Sequence, residues 1–276
     1  MTWGCVPAAG RTSSTPTAWR DHVPAGTSRR SRGSRAAPGR VRDGVVTEAR
    51  IQDQLAVVRE RISGALQRSG RGPGEARLLV ASKYYTVGQV SVLARAGVEL
   101  LGENKADELA SKQEEFGDAF EWHFIGHLQR RKAKDVVPRV SLIHSVDSVR
   151  LVEELGKRAP EAGVDVLLQV NVSGEEAKYG ISEGEVEGLL EAAAQTGGAV
   201  RVRGFMTIAP VVEAPEDARY VFAKLRTLRD SLRGVWAPCF DLSELSMGMS
   251  NDYEVAVEEG STLVRIGRTM IEEEGP

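Results

Sequence analysis

The chain has 276 residues, 41% of them hydrophobic and 27% charged, with a formal net charge of −3, a length that suits one large domain because α/β barrels commonly reach about 250 residues as a single unit. No stretch approaches the run of about 20 apolar residues that a membrane-spanning helix needs, so no membrane span is expected. Cys5 and Cys239 lie far apart and match no metal or redox spacing, which predicts reduced thiols in a cytoplasmic protein.

Charge is unevenly distributed along the chain. Residues 1–45 hold eight arginines, no lysine and two acids (Asp21 and Asp43), a net +6; with the whole chain at −3, the remainder carries −9. An acidic folded part argues against general nucleic-acid binding. The basic head is rich in Ser, Thr, Gly, Pro and Ala, shows no apolar periodicity, and reads as disordered. An organellar transit peptide or a basic arm for RNA would share that composition; the preferred reading is an over-extended gene start, with translation beginning near Val45 or Val46. The structured unit is expected over 46–276, with no internal boundary.

Residues 47–68 place Ile51, Leu55, Val58, Ile62 and Leu66 at intervals of three to four, which predicts an amphipathic helix ended by Gly70, Gly72, Pro73 and Gly74. After it, short apolar runs alternate with helical ones. The strand candidates are RLLVASK (77–83), VELLGEN (98–104), EWHFIGH (121–127), SLIHSVD (141–147), DVLLQVNV (165–172), VRGFMTIA (202–209), ELSMGMS (244–250) and LVRIGRT (263–269). Helical candidates between them include VGQVSVLARAG, KADELASKQEEF, SVRLVEELGKRA, EVEGLLEAAAQ, PEDARYVFAKLRTLRDSL and NDYEVAVEEG. Strands apolar on both faces, each followed by a helix, imply a parallel sheet covered by helices. Eight such units fit a (β/α)₈ TIM barrel. An open doubly wound sheet is the competitor, but the Gly-rich first turn of a dinucleotide site is missing after the first strand.

Polar residues gather at the carboxyl ends of these strands: Lys83; Asn104; His123 with His127; Ser145 with Asp147; Asn171; Met206 with Thr207; Ser246 with Ser250; Arg265 with Gly267 and Arg268. In a barrel those ends converge on the face where active sites are built. Lys83 is either solvated or held in a partly apolar mouth, where its amine would attack a carbonyl and form a Schiff base. An aldolase and a pyridoxal 5'-phosphate (PLP) protein share that chemistry. Phosphate in barrels is often held after strands 7 and 8. Here SMGMSND, with Ser250 and Asn251 opening a helix, and VRIGRT, with Gly267 admitting close backbone approach, favour an anion; an ordinary helix cap is the alternative. Arg265 needs a buried acceptor, either a pyridine nitrogen, where PLP enzymes use Asp or Arg, or an acid such as Glu259. His123, His127 and His144 lack further ligands at metal spacing, so no metal is expected. Strand alternation puts His123 and His127 on one face.

The motifs VASK, LGEN, WHFIGHLQ, HSVDS, QVNVSGEEAKYG, RGFMTIAP and LSMGMSNDYEVAVEEGSTLVRIGRT resemble, in this order, those of the YggS/PROSC family of PLP-binding proteins, also called pyridoxal phosphate homeostasis proteins. The resemblance covers roughly residues 48–272. It implies a single barrel of the alanine racemase N-terminal type (PLP fold type III), with PLP held as a Schiff base on Lys83. By the same resemblance Asn104, His123 and Ser246 lie near the cofactor, Met206 and Met249 pack beside it, and Arg265 faces the pyridine nitrogen. Ser250, with the backbone of Gly267 and Arg268, binds its phosphate. Tyr84, Tyr85 and Lys105 depart from the common family pattern and alter local wall contacts.

Alanine racemase adds a C-terminal β-domain whose tyrosine opposes the lysine, and racemisation needs a base on each face. This sequence ends six residues after Met270, which leaves no room for that domain. The expected function is therefore PLP (vitamin B6) homeostasis with little amino-acid turnover, by a monomer with apo-PLP-enzymes as transient acceptors. A weak PLP-dependent racemase or lyase and a Schiff-base aldolase are the alternatives.

Overall fold

Strands apolar on both faces can be buried only if helices cover one side and the sheet closes over the other. The computed structural model describes residues 46–175 and 179–271; the expectations for the basic head, and Cys5 with it, lie outside the described residues. Strands β1 (Arg77–Ala81), β2 (Leu100–Glu103), β3 (Glu121–Phe124), β4 (Leu142–Val146), β5 (Val164–Gln169), β6 (Val200–Met206), β7 (Glu244–Met249) and β8 (Leu263–Ile266) form a closed barrel in sequence order. The barrel closes where β8 pairs in parallel with β1, Leu79 opposite Arg265.

Helices α1 (Glu48–Arg68), α2 (Val87–Arg95), α3 (Ala106–Phe116), α4 (Ala133–Val136), α5 (Val149–Arg158), α6 (Val186–Ala194), α7 (Arg219–Trp236) and α8 (Tyr253–Glu258) surround it. The four-residue α4 was not expected, since its basic surroundings give little apolar period and Pro138 sits at the start of the turn that follows. The apolar stripe of α1 is buried as its spacing predicts. Among the described residues a single turn, Arg268–Met270, follows β8, and α1 fills the gap in the ring. Arg68 of α1 pairs with Glu254 and Glu258 of α8, and Glu48 pairs with Arg95 of α2.

Two apolar layers result. The larger packs the helices on the outside of the sheet. The smaller fills the barrel with Leu79, Leu100, Leu142, Leu167, Met206 and Leu263. Side chains alternate along a strand, so the inward set continues upward from Leu79 toward Lys83, from Leu100 toward Asn104, and from Leu263 through Arg265 to Gly267. Gly102 belongs to it because a Cβ there would strike Leu79 and Ile125.

Every strand stops short of its predicted carboxyl end, so several polar residues sit on the turns beyond rather than in the ladder. The expected pairing of His123 and His127 on one face fails for that reason. β3 ends at Phe124, and Gly126, tucked against the Asn104 backbone, breaks the alternation. The expectation of reduced thiols is corrected at Cys239, which is disulfide-bonded. Among the described residues no helix is long and apolar enough to cross a membrane.

Candidate functional site

At the carboxyl-terminal face, the ends of β1, β2, β7 and β8 open on a cavity of about 470 Å³. Lys83, Asn104, Met249, Ser250, Arg265, Gly267 and Arg268 line it, together with the loop after β6 from Ile208 to Glu213. Ser145 and Asn171, also at strand ends, are absent from its walls. They brace the backbone instead: Ser145 Oγ donates to Gly126 O, and Asn171 Nδ2 donates to Glu175 O at 2.9 Å.

Lys83 lies in the one-turn 3₁₀ helix Ser82–Tyr84 that follows β1. Of the two readings the sequence left open, its side chain takes the exposed one, because the strand has already ended. An aromatic face supports it, with Nζ 4.9 Å from the centroid of the Tyr84 ring, a cation–π contact. That ring packs on Gly267, where a Cβ would run into it.

A buried ion pair stands behind the lysine. Glu103 at the end of β2 is 0% exposed and Lys112 of α3 is 2% exposed, with Nζ and Oε2 2.5 Å apart. Lys112 Nζ also donates to Ser82 O at 2.8 Å, and Ser82 Oγ donates to Glu103 Oε2 at 2.7 Å. Asn104 N donates to Glu103 Oε1 at 2.7 Å. One pair thus fixes the residue before Lys83 and the backbone of Asn104. The amide oxygen of Asn104 is itself buried without a hydrogen-bond partner, an acceptor left for a ligand.

Half of this pair is hidden in the sequence. Lys112, within ELASKQEEF, reads as one more solvated charge on a helix. The available signal was Glu103, an acid at the end of an all-apolar strand, which demands a partner.

Across the mouth, Asp252 Oδ1 accepts from Met249 N at 2.6 Å, and burial lifts its carboxyl above the usual range. Asp252, not Ser250, is the N-cap residue of α8, which starts at Tyr253. The expectation that Ser250 and Asn251 open the helix is corrected accordingly: they form the preceding turn, and the Ser250 hydroxyl is not consumed as a cap. Thr269 N approaches Ser250 Oγ at 3.5 Å, joining the loops after β7 and β8, and Arg268 beside it is exposed.

Arg265 is 7% exposed. Its Nη1 donates to Ser246 Oγ at 2.6 Å and its Nη2 to Thr207 O at 2.9 Å. Burial pulls its guanidinium down to about 10, still charged at neutral pH. The alternative partner Glu259 is engaged elsewhere, by Arg219 and Arg226, because it ends α8 on the outside of the barrel.

Ser246, His123 and Met206 lie beneath the cavity rather than on its wall. Met206 belongs to the inner apolar layer. His144 Nδ1 is 2.8 Å from Ser246 Oγ, His144 Nε2 is 2.9 Å from His123 Nδ1, and His123 Nε2 is 2.8 Å from Glu121 Oε1. Burial holds both imidazoles below the usual histidine value. His127 stands apart, 3.4 Å from Asp147 and stacked on Tyr179. Among the described residues no cluster of His, Cys, Asp or Glu could hold a metal ion.

Known proteins share the sequence pattern and the fold of this chain. Residues 54–273 match the alanine racemase, N-terminal domain family. The class of protein is thus the barrel that alanine racemases carry at their N-terminus. A pyridoxal phosphate homeostasis protein of Aquifex aeolicus is 44% identical over 224 residues, spanning 80% of this chain and 97% of that one. Its counterpart in Pseudomonas aeruginosa is 38% identical over 225 residues, spanning 80% and 94%. The structure of PipY from Synechococcus elongatus with PLP bound superposes with a TM-score of 0.66 at 32% identity, covering 80% of this chain and 100% of that one. The chain belongs to the YggS/PROSC family of pyridoxal phosphate homeostasis proteins.

Proposed function

We propose that this protein holds PLP at the barrel mouth on Lys83 and serves PLP homeostasis, storing and releasing the cofactor rather than turning over amino acids. The observation that carries this is the complementarity of one cavity: an exposed amine, the unpartnered oxygen of Asn104, a buried charged guanidinium, and a hydroxyl with a neighbouring arginine. These residues fit the group: an aldehyde, a hydroxyl-bearing ring, a ring nitrogen and a phosphate are its functional parts. The relatives' names and the PLP-bound PipY structure support the same ligand.

The cofactor would be held by the Lys83 amine, and would supply there a carbonyl carbon for that amine and an electron-withdrawing ring. Tyr84 supports the lysine from one side, and the Glu103–Lys112 pair holds its backbone. Arg265, which keeps its own proton, would donate a hydrogen bond to the ring nitrogen and so limit the ring as an electron sink. Ser250 and Arg268 would hold the phosphate. Of the loop after β6, Glu213 is the one titratable residue on the cavity wall, amid Ile208, Ala209, Pro210, Val211 and Val212. That wall offers little for a second base, and Asp252, also on the lining, is engaged by Met249 N.

Purified protein incubated with PLP should develop a visible absorption band that survives dialysis, is reduced by borohydride, and is absent in Lys83→Ala. A protein that stays colourless excludes the proposal. Lys83-dependent exchange of the α-proton of alanine in deuterated water would move the assignment to a weak racemase. Delivery is measured as PLP transfer to an apo-enzyme faster than free release allows, and light scattering should report a monomer.

A further inference from the structure

A guanidinium buried as deeply as Arg265 needs negative charge, yet its Nη1 and Nη2 donate to neutral oxygens, Ser246 Oγ and Thr207 O. Asp252 acts on it through space, and burial works against the charge of that carboxyl too. A second carboxylate is reached only through a row of side chains. We infer that Glu121, His123, His144 and Ser246 form a one-way hydrogen-bond chain that carries the pull of a carboxylate across the barrel to Arg265, which makes them positioning residues for the guanidinium at the mouth.

The direction of every bond follows from the ends. Glu121 is held down to about 2 by its bond to His123 and by Arg77, so it is an ionised carboxylate and can only accept. His123 Nε2 therefore carries the hydrogen. Desolvation keeps His123 and His144 neutral, with one N–H each. His123 Nδ1 must then accept, and the hydrogen in the 2.9 Å contact belongs to His144 Nε2. His144 Nδ1 must accept in turn, so Ser246 Oγ–H donates to it across 2.8 Å. Having given its only hydrogen, Ser246 Oγ turns a lone pair to Arg265 Nη1 at 2.6 Å. Reversing any link would need a protonated carboxylate or a second proton on a buried imidazole.

The chain runs from β3 and β4 to β7 and β8, which lie on opposite sides of the closed barrel. Aligned hydrogen bonds polarise one another in a low-dielectric interior, so the lone pair offered to Arg265 is stronger than that of an isolated serine. At the far end Arg77 pairs with Glu121, Ser141 Oγ donates to Glu121 Oε1 at 3.1 Å, and Glu244 adds its field at His123. The inference rests on the proposed function only for what Arg265 faces; the chain belongs to the protein by itself.

Nitrogen-15 NMR of the histidine-labelled protein, without added ligand, should find both His123 and His144 neutral and in the Nε2–H tautomer from about pH 7 to pH 8. Two variants separate positioning from simple surface pairing. Glu121→Gln removes the anchor charge; Arg77→Met removes the same surface pair but leaves the carboxylate on His123. Glu121→Gln should speed guanidinium hydrogen exchange at Arg265 and weaken PLP retention about tenfold, the size expected for one charge-assisted hydrogen bond. Arg77→Met should change either by less than about twofold. An Nδ1–H tautomer or a charged imidazole overturns the inference, and so do equal effects of the two variants. If the wild-type protein binds no PLP, the proposed function falls, while the tautomers and the exchange at Arg265 still decide the chain.

Discussion

Replacing Lys112 with methionine keeps most of the side chain and deletes its charge, leaving Glu103 wholly buried with Ser82 Oγ and Asn104 N as donors. Removing one member of a buried pair costs about 3–5 kcal/mol, because the survivor loses its partner but not its burial. The two donors that remain on Glu103 place the expected loss near the lower end, about 3 kcal/mol. Against a total stability of about 5–15 kcal/mol, that lowers the urea midpoint markedly with an unchanged slope. Adding Glu103→Gln removes the stranded charge while keeping an acceptor for Asn104 N, so the double variant should regain about 1–2 kcal/mol over Lys112→Met. Ser82 loses a donor at its carbonyl in both, so PLP retention on the neighbouring lysine should weaken in both. A loss below about 1 kcal/mol, the range of exposed pairs, or a double variant less stable than Lys112→Met, refutes the clamp.

Gly267→Ala drives a methyl into the Tyr84 ring; it should cost about 1–3 kcal/mol and loosen PLP, and retention equal to wild type would show that the ring is not a support for Lys83. Ser250→Ala with Arg268→Ala should weaken competition by inorganic phosphate about tenfold, and an unchanged competition curve would put the phosphate site elsewhere. Stability should also fall with acid. His123 and His144 are held down by burial and Glu121 by its bond to His123. All three folded values lie below the unfolded ones, so the unfolded chain binds more protons as pH drops. Loss should begin below about pH 6.5, where unfolded histidines protonate, and steepen below about pH 4.3, where unfolded Glu does. Urea midpoints flat from about pH 7 to pH 5 would contradict the neutral buried imidazoles.

The barrel was legible because its strands are apolar on both faces and its helices keep a 3.6-residue period, as in Ile51, Leu55, Val58, Ile62 and Leu66. Lys83, Asn104, Arg265 and Gly267 were legible as strand-end residues sharing the inward parity of Leu79, Leu100 and Leu263. Less visible was everything that depends on partners distant in sequence. Lys112 becomes a buried cation only when α3 packs under the turn after β1, and His144 becomes a link only when β4 stands across from β7. Strand ends were overrun because the polar residues that close RLLVASK and its counterparts were read as the last strand residues, whereas they sit on the turns beyond the ladder. The start of α8 was misplaced because Ser250 and Asp252 are both good N-cap residues; the helix begins after Asp252, whose carboxylate turns back to Met249 N instead of bonding the first turn.

The seam of the barrel, where β8 pairs with β1, runs directly beneath the cavity, so Lys83 and its phosphate-side counterparts Gly267 and Arg268 come from opposite ends of the folded unit. The contacts that complete the pocket are among the longest-range in the chain and are expected to form late, since long loops must close first. A nascent chain still lacking β8 can present the lysine but not the phosphate side. On the proposed assignment of the site, a full grip on the cofactor requires the barrel to be shut, because the lysine and the backbone of Gly267 and Arg268 meet only across that seam.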